Sequence, residues 1–112
     1  MSKRNIIQLS EFNVTQKIIE SLSNVCTRSV LFSVKNESKD VTQISDELKI
    51  SISTVYKTLS TLEDLALAEI DRYVISPEGK KIKLYRSRIR KVEITLDDLE
   101  PILMLHPNES KN

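Results

Sequence analysis

Residues 44–67 read ISDELKISISTVYKTLSTLEDLAL. Ile44 and Leu48 lie four apart on one helical face, and Ile50 follows in what reads as a tight turn. Ser51 is placed to cap a second helix, and Ile52, Val55, Leu59 and Leu62 recur at spacings of three, four and three. Such spacings put one apolar stripe on a helix with 3.6 residues per turn. The β-branched residues between Ile52 and Val55 are weak helix formers, so packing rather than propensity must hold this helix. Short helix, tight turn, longer helix is the local pattern on which the rest of the chain has to be arranged.

Upstream, Val14, Ile18, Leu22 and Val25 mark an apolar stripe on an opening helix over about residues 12–24. Val30, Leu31 and Val34 mark another after Thr27. Asn36 to Asp40 has no apolar residue and reads as a loop, with Thr42 placed to cap the helix that follows. Downstream the period changes. AEIDRYVIS and KIKLYRS have strand composition, and Ser76-Pro77-Glu78-Gly79 between them suits a type I turn. Gly79 is the sole glycine of the chain and falls at the tip of this hairpin. Arg86, Arg88 and Arg90 share strand parity with apolar Ile82, Leu84, Val92 and Ile94, and one face cannot be both buried and triply cationic. The sequence therefore predicts a bend or bulge near Ser87 and a further extended piece from Ile89 to Thr95. Thr95-Leu96-Asp97-Asp98 reads as a helix start, with Leu99, Ile102, Leu103 and Leu105 on a short apolar helix face and Pro101 in its first turn or at a break.

The predicted fold is mainly α with a β-hairpin wing, an α+β winged helix-turn-helix with an extra N-terminal helix and a short C-terminal extension. Its predicted segments are a flexible N-terminus over 1–10, the domain proper over 11–96, and a C-terminal segment over 97–112 carrying a possible dimerisation helix and a frayed tail.

Over residues 24–86 the pattern resembles the winged helix-turn-helix regulators of the ArsR type. Asn24 to Leu31 is similar to the opening of their core helix, Thr42 to Leu48 to the helix lying across the DNA backbone, Ile50 to Leu59 to the turn and recognition helix, and Leu62 to Leu67 to the join with the wing. Lys49 and Ala66 stand where such proteins often carry glycine, and Ile52 is apolar at a position commonly polar. Metal-sensing members carry cysteines in the helix-turn-helix; here Asp46, Glu47 and Leu48 occupy those positions, which does not support a thiolate sensor.

The resemblance implies a sequence-selective regulator of transcription that binds double-stranded DNA as a homodimer, with a recognition helix at about 52–66 in the major groove and a wing at about 68–86 on the backbone or minor groove. The candidate DNA-contacting residues are Thr42, Gln43, Ser51, Ser53, Thr54, Tyr56, Lys57, Ser60, Lys80, Lys81, Lys83 and Arg86. Hydroxyls meet phosphates or either kind of base edge, helix N-termini favour phosphate, and the hairpin lysines suit a polyanion. The helix has no Arg, Asn or Gln, the side chains of bidentate base readout, so phosphates and DNA shape must contribute much.

Charge distribution agrees with this reading. The chain carries 17 basic and 16 acidic residues, yet residues 77–93 are net +5, residues 1–76 net −1 and residues 94–112 net −3. A solvated polar helix face and a lysine-protected strand edge would carry similar residues, and a winged-helix protein–protein interaction module in a larger assembly is the alternative. A small-molecule or redox-responsive repressor is a third reading, for which no pocket is legible. No nucleophile–base set, phosphate loop or metal-ligand spacing is visible, so neither catalysis nor a cofactor or metal is expected. One cysteine, Cys26, fits a reducing compartment and reads as a small hydrophobe, and His106 as a surface residue. No apolar run approaches a membrane span; the expected location is the cytoplasm.

Overall fold

The computed structural model describes residues 3–109, with side chains from Asn13 onward. Four helices are followed by four strands: α1 (Lys3–Ser23), α2 (Val25–Ser33), α3 (Val41–Leu48), α4 (Ile52–Asp64), β1 (Ala68–Ile75), β2 (Lys81–Ser87), β3 (Ile89–Thr95) and β4 (Ile102–Pro107). β1 pairs with β2 and β3 with β4, each pair antiparallel. This is the winged helix-turn-helix architecture, with β1–β2 as the wing and β3–β4 as an additional arm.

The core draws on every helix. Ile18 and Leu22 of α1, Val30 and Leu31 of α2, Ile44 of α3 and Val55, Leu59 and Leu62 of α4 are all buried, joined by Val34, Leu67, Tyr85 and Ile89. The α4 stripe thus packs as its spacing requires, except that Ile52, one turn before the stripe proper, stays 47% exposed. In α1, Ile18 and Leu22 are buried, but Val14 and Val25 are exposed. Asn24 takes an extended conformation and accepts from the Thr27 N–H at 3.0 Å. It caps α2, which therefore starts at Val25, earlier than the sequence suggests. The backbone of α1 is helical from Lys3, where a flexible segment over 1–10 is expected; neither Pro nor Gly interrupts it.

The cap of α3 is Asp40, not Thr42. Asp40 Oδ1 accepts from the Gln43 N–H at 2.8 Å, and Gln43 Oε1 accepts from the Asp40 N–H at 3.0 Å. This reciprocal box satisfies two otherwise orphaned donors, and it leaves Thr42 on the exposed first turn. Between α3 and α4, Lys49 sits in the left-handed region at φ 60°, ψ 42°, and Ser45 Oγ donates to the Ile50 carbonyl to close the turn. Ser51 caps α4 as the sequence predicts, accepting from the Thr54 N–H at 3.2 Å.

Ala66 ends α4 at φ 60°. The Leu67 N–H reaches the Leu62 carbonyl and the Ala66 N–H the Glu63 carbonyl, both at 2.9 Å, the bond pair of a Schellman motif, with buried Leu62 and Leu67 as its apolar contact. A left-handed alanine costs roughly 1–2 kcal/mol, while glycine loses only about 0.4–1 kcal/mol through its freer unfolded chain. Ala66→Gly is therefore expected to stabilise the fold by up to about 1 kcal/mol in urea denaturation. A lower midpoint for the variant would contradict the strain assigned to this position.

At the wing tip, the Gly79 N–H donates to the Ser76 carbonyl and the Ser76 N–H to the Lys80 carbonyl, both at 2.8 Å. Gly79 has φ 84°. This is a type I turn completed by a left-handed residue, the common three-residue hairpin loop. Asp71 forms a bulge in β1 and accepts from Ser38 Oγ at 2.6 Å. Backbone bonds in both directions between Lys39 and Tyr85, at 3.1 and 2.8 Å, tie β2 to the loop before α3. These long-range contacts fix where the wing stands beside the helix-turn-helix.

The chain turns at Ser87 as predicted. Ser87 is fully buried; its N–H donates to the Val34 carbonyl and its hydroxyl bridges to Ile89. Residues 102–107 form strand β4 rather than the expected short helix. Pro101 removes a helical donor, while β3 offers a row of unpaired backbone groups. Pairing Val92 with Leu105 and Ile94 with Leu103 puts four apolar side chains on one face. Asn108 secures the end of the arm, its amide donating to the Lys35 and Ser87 carbonyls at 2.8 and 2.9 Å.

Candidate nucleic-acid interface

Burying Val55, Leu59 and Leu62 turns the other side of α4 to solvent. Ser53, Thr54, Tyr56, Lys57 and Ser60 are all exposed there. Some of their hydroxyls are engaged locally: Ser51 Oγ donates to Thr54 Oγ1 at 2.8 Å and lies 3.2 Å from Ser53 Oγ. The Gln43 side-chain oxygen is likewise committed to the cap of α3. The Gln43 N–H is committed as well, to Asp40 Oδ1 at 2.8 Å, and Ser51 Oγ also accepts from the Thr54 N–H at 3.2 Å.

A groove of about 270 Å³ runs between α3, α4 and the wing, lined by Asp40, Val41, Thr42, Tyr56, Lys81, Ile82, Lys83 and Tyr85. It brings four of the sequence-predicted residues, Thr42, Tyr56, Lys81 and Lys83, onto one concave surface. Strand alternation explains the wing's share, because Lys81, Lys83 and Tyr85 project to one face of β2. Arg86 falls on the opposite face with Ile82 and Leu84, facing Glu69 across the ladder, and is half-buried. It is not gathered with the wing lysines. Lys80 is exposed in the turn.

Tyr73 was not among the candidates. Its ring lies under Lys81, whose Nζ is 4.3 Å from the centroid, and it pairs with Lys83 across the hairpin. The aromatic ring draws the ammonium toward it and fixes the direction of a long side chain. The signal was present as a tyrosine at matching strand parity, but it required the hairpin register to read.

Tyr85, at the floor of the groove, is only 4% exposed. Burial, reinforced by the charge of Glu63, raises its phenol above the ordinary value. The folded state thus holds this proton more tightly than the unfolded chain does. The resulting stability is complete below about pH 10, the unfolded value, and is lost as pH rises through the folded pKa. Tyr85→Phe should accordingly show a shallower alkaline loss of stability than the parent in urea titrations at pH 9 and 11. Equal slopes would place that loss elsewhere.

Among the described residues no group of His, Cys, Asp and Glu is arranged to hold a metal ion, and no helix is long and apolar enough to cross a membrane. Cys26 is partly exposed, and His106 is half-buried in β4 beside Glu93, 3.6 Å away.

A capped helix-turn-helix with an outward polar face, flanked by a lysine-bearing hairpin, defines a winged helix-turn-helix protein. Residues 28–69, from α2 into β1, match the family described as bacterial regulatory protein, arsR family. The chain is also 32% identical over 93 residues to a protein of Methanocaldococcus jannaschii named as an uncharacterised HTH-type transcriptional regulator, covering 83% of this chain and 93% of that one. The chain belongs to the helix-turn-helix transcriptional regulators, with an arsR-type domain match over its helix-turn-helix.

Proposed function

We propose that this protein is a homodimeric transcriptional regulator that binds double-stranded DNA selectively, with α4 in the major groove and the β1–β2 wing on the backbone or adjacent minor groove. The observation that carries the reading is the single concave surface on which Thr42, Tyr56, Lys81 and Lys83 meet, beside exposed Ser53, Lys57 and Ser60. Hydroxyls and one lysine on α4 suit modest base readout, and the lysines suit phosphates. Two protomers related by a two-fold axis would set their recognition helices one DNA turn apart, about 34 Å.

Anisotropy titrations with labelled duplex DNA at several salt concentrations test this. If four to six phosphates are neutralised per protomer, log affinity should fall with log salt at a slope of about −4 to −5. Absence of binding to any duplex at low salt would overturn the proposal. The competing reading, a protein-interaction module, is supported by the exposure of Ile52 and Tyr56 on α4 and of Val74 and Ile75 on the wing. The +5 segment at residues 77–93 favours DNA over that alternative.

A further inference from the structure

All three tyrosines of the chain meet at the groove between α4 and the wing. Tyr56 and Tyr85 line it, and Tyr73, at its rim, carries the Lys81 ammonium over its ring. The three rings differ in what they leave open. Tyr56 is 57% exposed and keeps an aromatic surface in water. Tyr85 is almost wholly buried, yet its hydroxyl has no hydrogen-bond partner among the described residues. Buried polar groups are normally paired, so a phenol left unpaired at the floor of a groove marks a place for a partner from outside the chain.

The rest of the lining is rich in donors and poor in acids. Lys81 and Lys83 project into it from one face of β2. The ion pairs of the described residues involve other cations, namely Lys39, Arg72, Arg88, Lys91 and His106. Asp40 is the one acid of the lining, and its Oδ1 is held by the Gln43 N–H. Two ammonium groups and the hydroxyls of Thr42, Tyr56 and Tyr85 therefore face a ligand that brings negative charge and acceptors. The open Tyr56 ring asks in addition for a flat face. The groove encloses about 270 Å³, just under the ~300–1,000 Å³ typical of small-molecule sites, enough for one nucleotide and not for a base pair.

We propose that this groove seats a single unpaired nucleotide, its base stacked on Tyr56, a base acceptor on the Tyr85 hydroxyl and its phosphate between Lys81 and Lys83. An intact duplex keeps the faces of its bases inside the stack, so it uses the lysines and leaves both the Tyr56 ring and the Tyr85 phenol idle. Stacking on an aromatic side chain beside a cationic track is how single strands are held, with little dependence on sequence. The inference rests on the nucleic-acid reading of this face and gives it a second ligand, which occupies the space between α4 and the wing. The nucleotide comes either free in solution or as part of a single strand, and the chemistry is the same for both.

Anisotropy of a short fluorescein-labelled oligothymidylate with the full chain at low salt, with thymidine 5′-monophosphate as competitor, tests this. The parent should bind the strand. Tyr56→Leu should weaken binding about tenfold, the loss of one stacked base, whereas Tyr56→Phe keeps the ring and should stay within about twofold of the parent. Tyr85→Phe, which removes only the hydroxyl, should weaken binding about fivefold. Circular dichroism melts confirm that each variant is folded. Displacement of the strand by the mononucleotide assigns the site to a free nucleotide, and strand binding that the mononucleotide leaves intact assigns it to a single strand. Binding of neither probe, equal losses for the two Tyr56 variants, or strand binding indifferent to all three changes would overturn the proposal. Labelled random duplex, titrated on the same samples, separates the two readings. Tyrosine-dependent strand binding without duplex binding removes only the duplex function, and duplex binding without tyrosine-dependent strand binding removes only this inference.

Discussion

Lys80→Ala/Lys81→Ala should weaken binding to duplex DNA about sixtyfold at 0.1 M salt and flatten the salt dependence by about two units of slope. The magnitude follows from counterion release. Each phosphate contact contributes about 0.9 to the slope of log affinity against log salt, so deleting one contact at 0.1 M costs about eightfold, and two cost the product. The structure makes the pair a sensitive choice. Lys81 lines the groove beside Tyr56 and Thr42 and is steered by the Tyr73 ring, and Lys80 extends the same tip. Lys57→Ala on α4 should weaken binding as well. Arg86→Ala, on the other face of the hairpin, should do less than either wing lysine. Anisotropy at four salt concentrations reads all three variants, and an unchanged slope for the double lysine variant would remove the wing from the interface.

Leu62→Ala should destabilise the fold by about 3–4 kcal/mol, the range for deleting a fully enclosed leucine side chain and leaving part of its cavity. Leu62 is 0% exposed and takes part twice, as the last member of the α4 stripe and as the apolar contact of the Schellman motif with Leu67. For a chain of this size the change should lower the melting temperature by roughly 12–20 °C. Ile52→Ala, at 47% exposure on the same helix, should stay within about 0.5 kcal/mol of the parent. The contrast tests the rotation of α4 about its axis, on which the outward placement of Ser53, Lys57 and Ser60 depends. Comparable losses at both positions would mean that the helix is turned differently.

Legibility in the sequence followed the range of the interactions. The phase of α4 was readable because Val55, Leu59 and Leu62 encode it within three turns, and the Ser51 cap lies next to the helix it serves. The hairpin tip was readable because Pro77 and Gly79 restrict their own dihedrals. The bend at Ser87 was readable from a conflict of parity between arginines and aliphatic residues. Even so, local chemistry misled where two oxygens competed: Asp40 rather than Thr42 caps α3, because Asp40 and Gln43 satisfy each other's backbone.

The amino-acid sequence by itself determined the helix-turn-helix, the direction in which its polar residues face and the turn of the wing, since each rests on contacts within a few residues. Tertiary structure alone decided three things: that the Lys39–Tyr85 bonds bring Lys81 and Lys83 up to Tyr56 and Thr42, that Arg86 faces away from them, and that residues 102–107 join β3 instead of coiling. Strand register and long-range backbone pairing set these outcomes. A strand's partner supplies half of its hydrogen bonds and one side of its packing, and no window of neighbouring residues contains that partner.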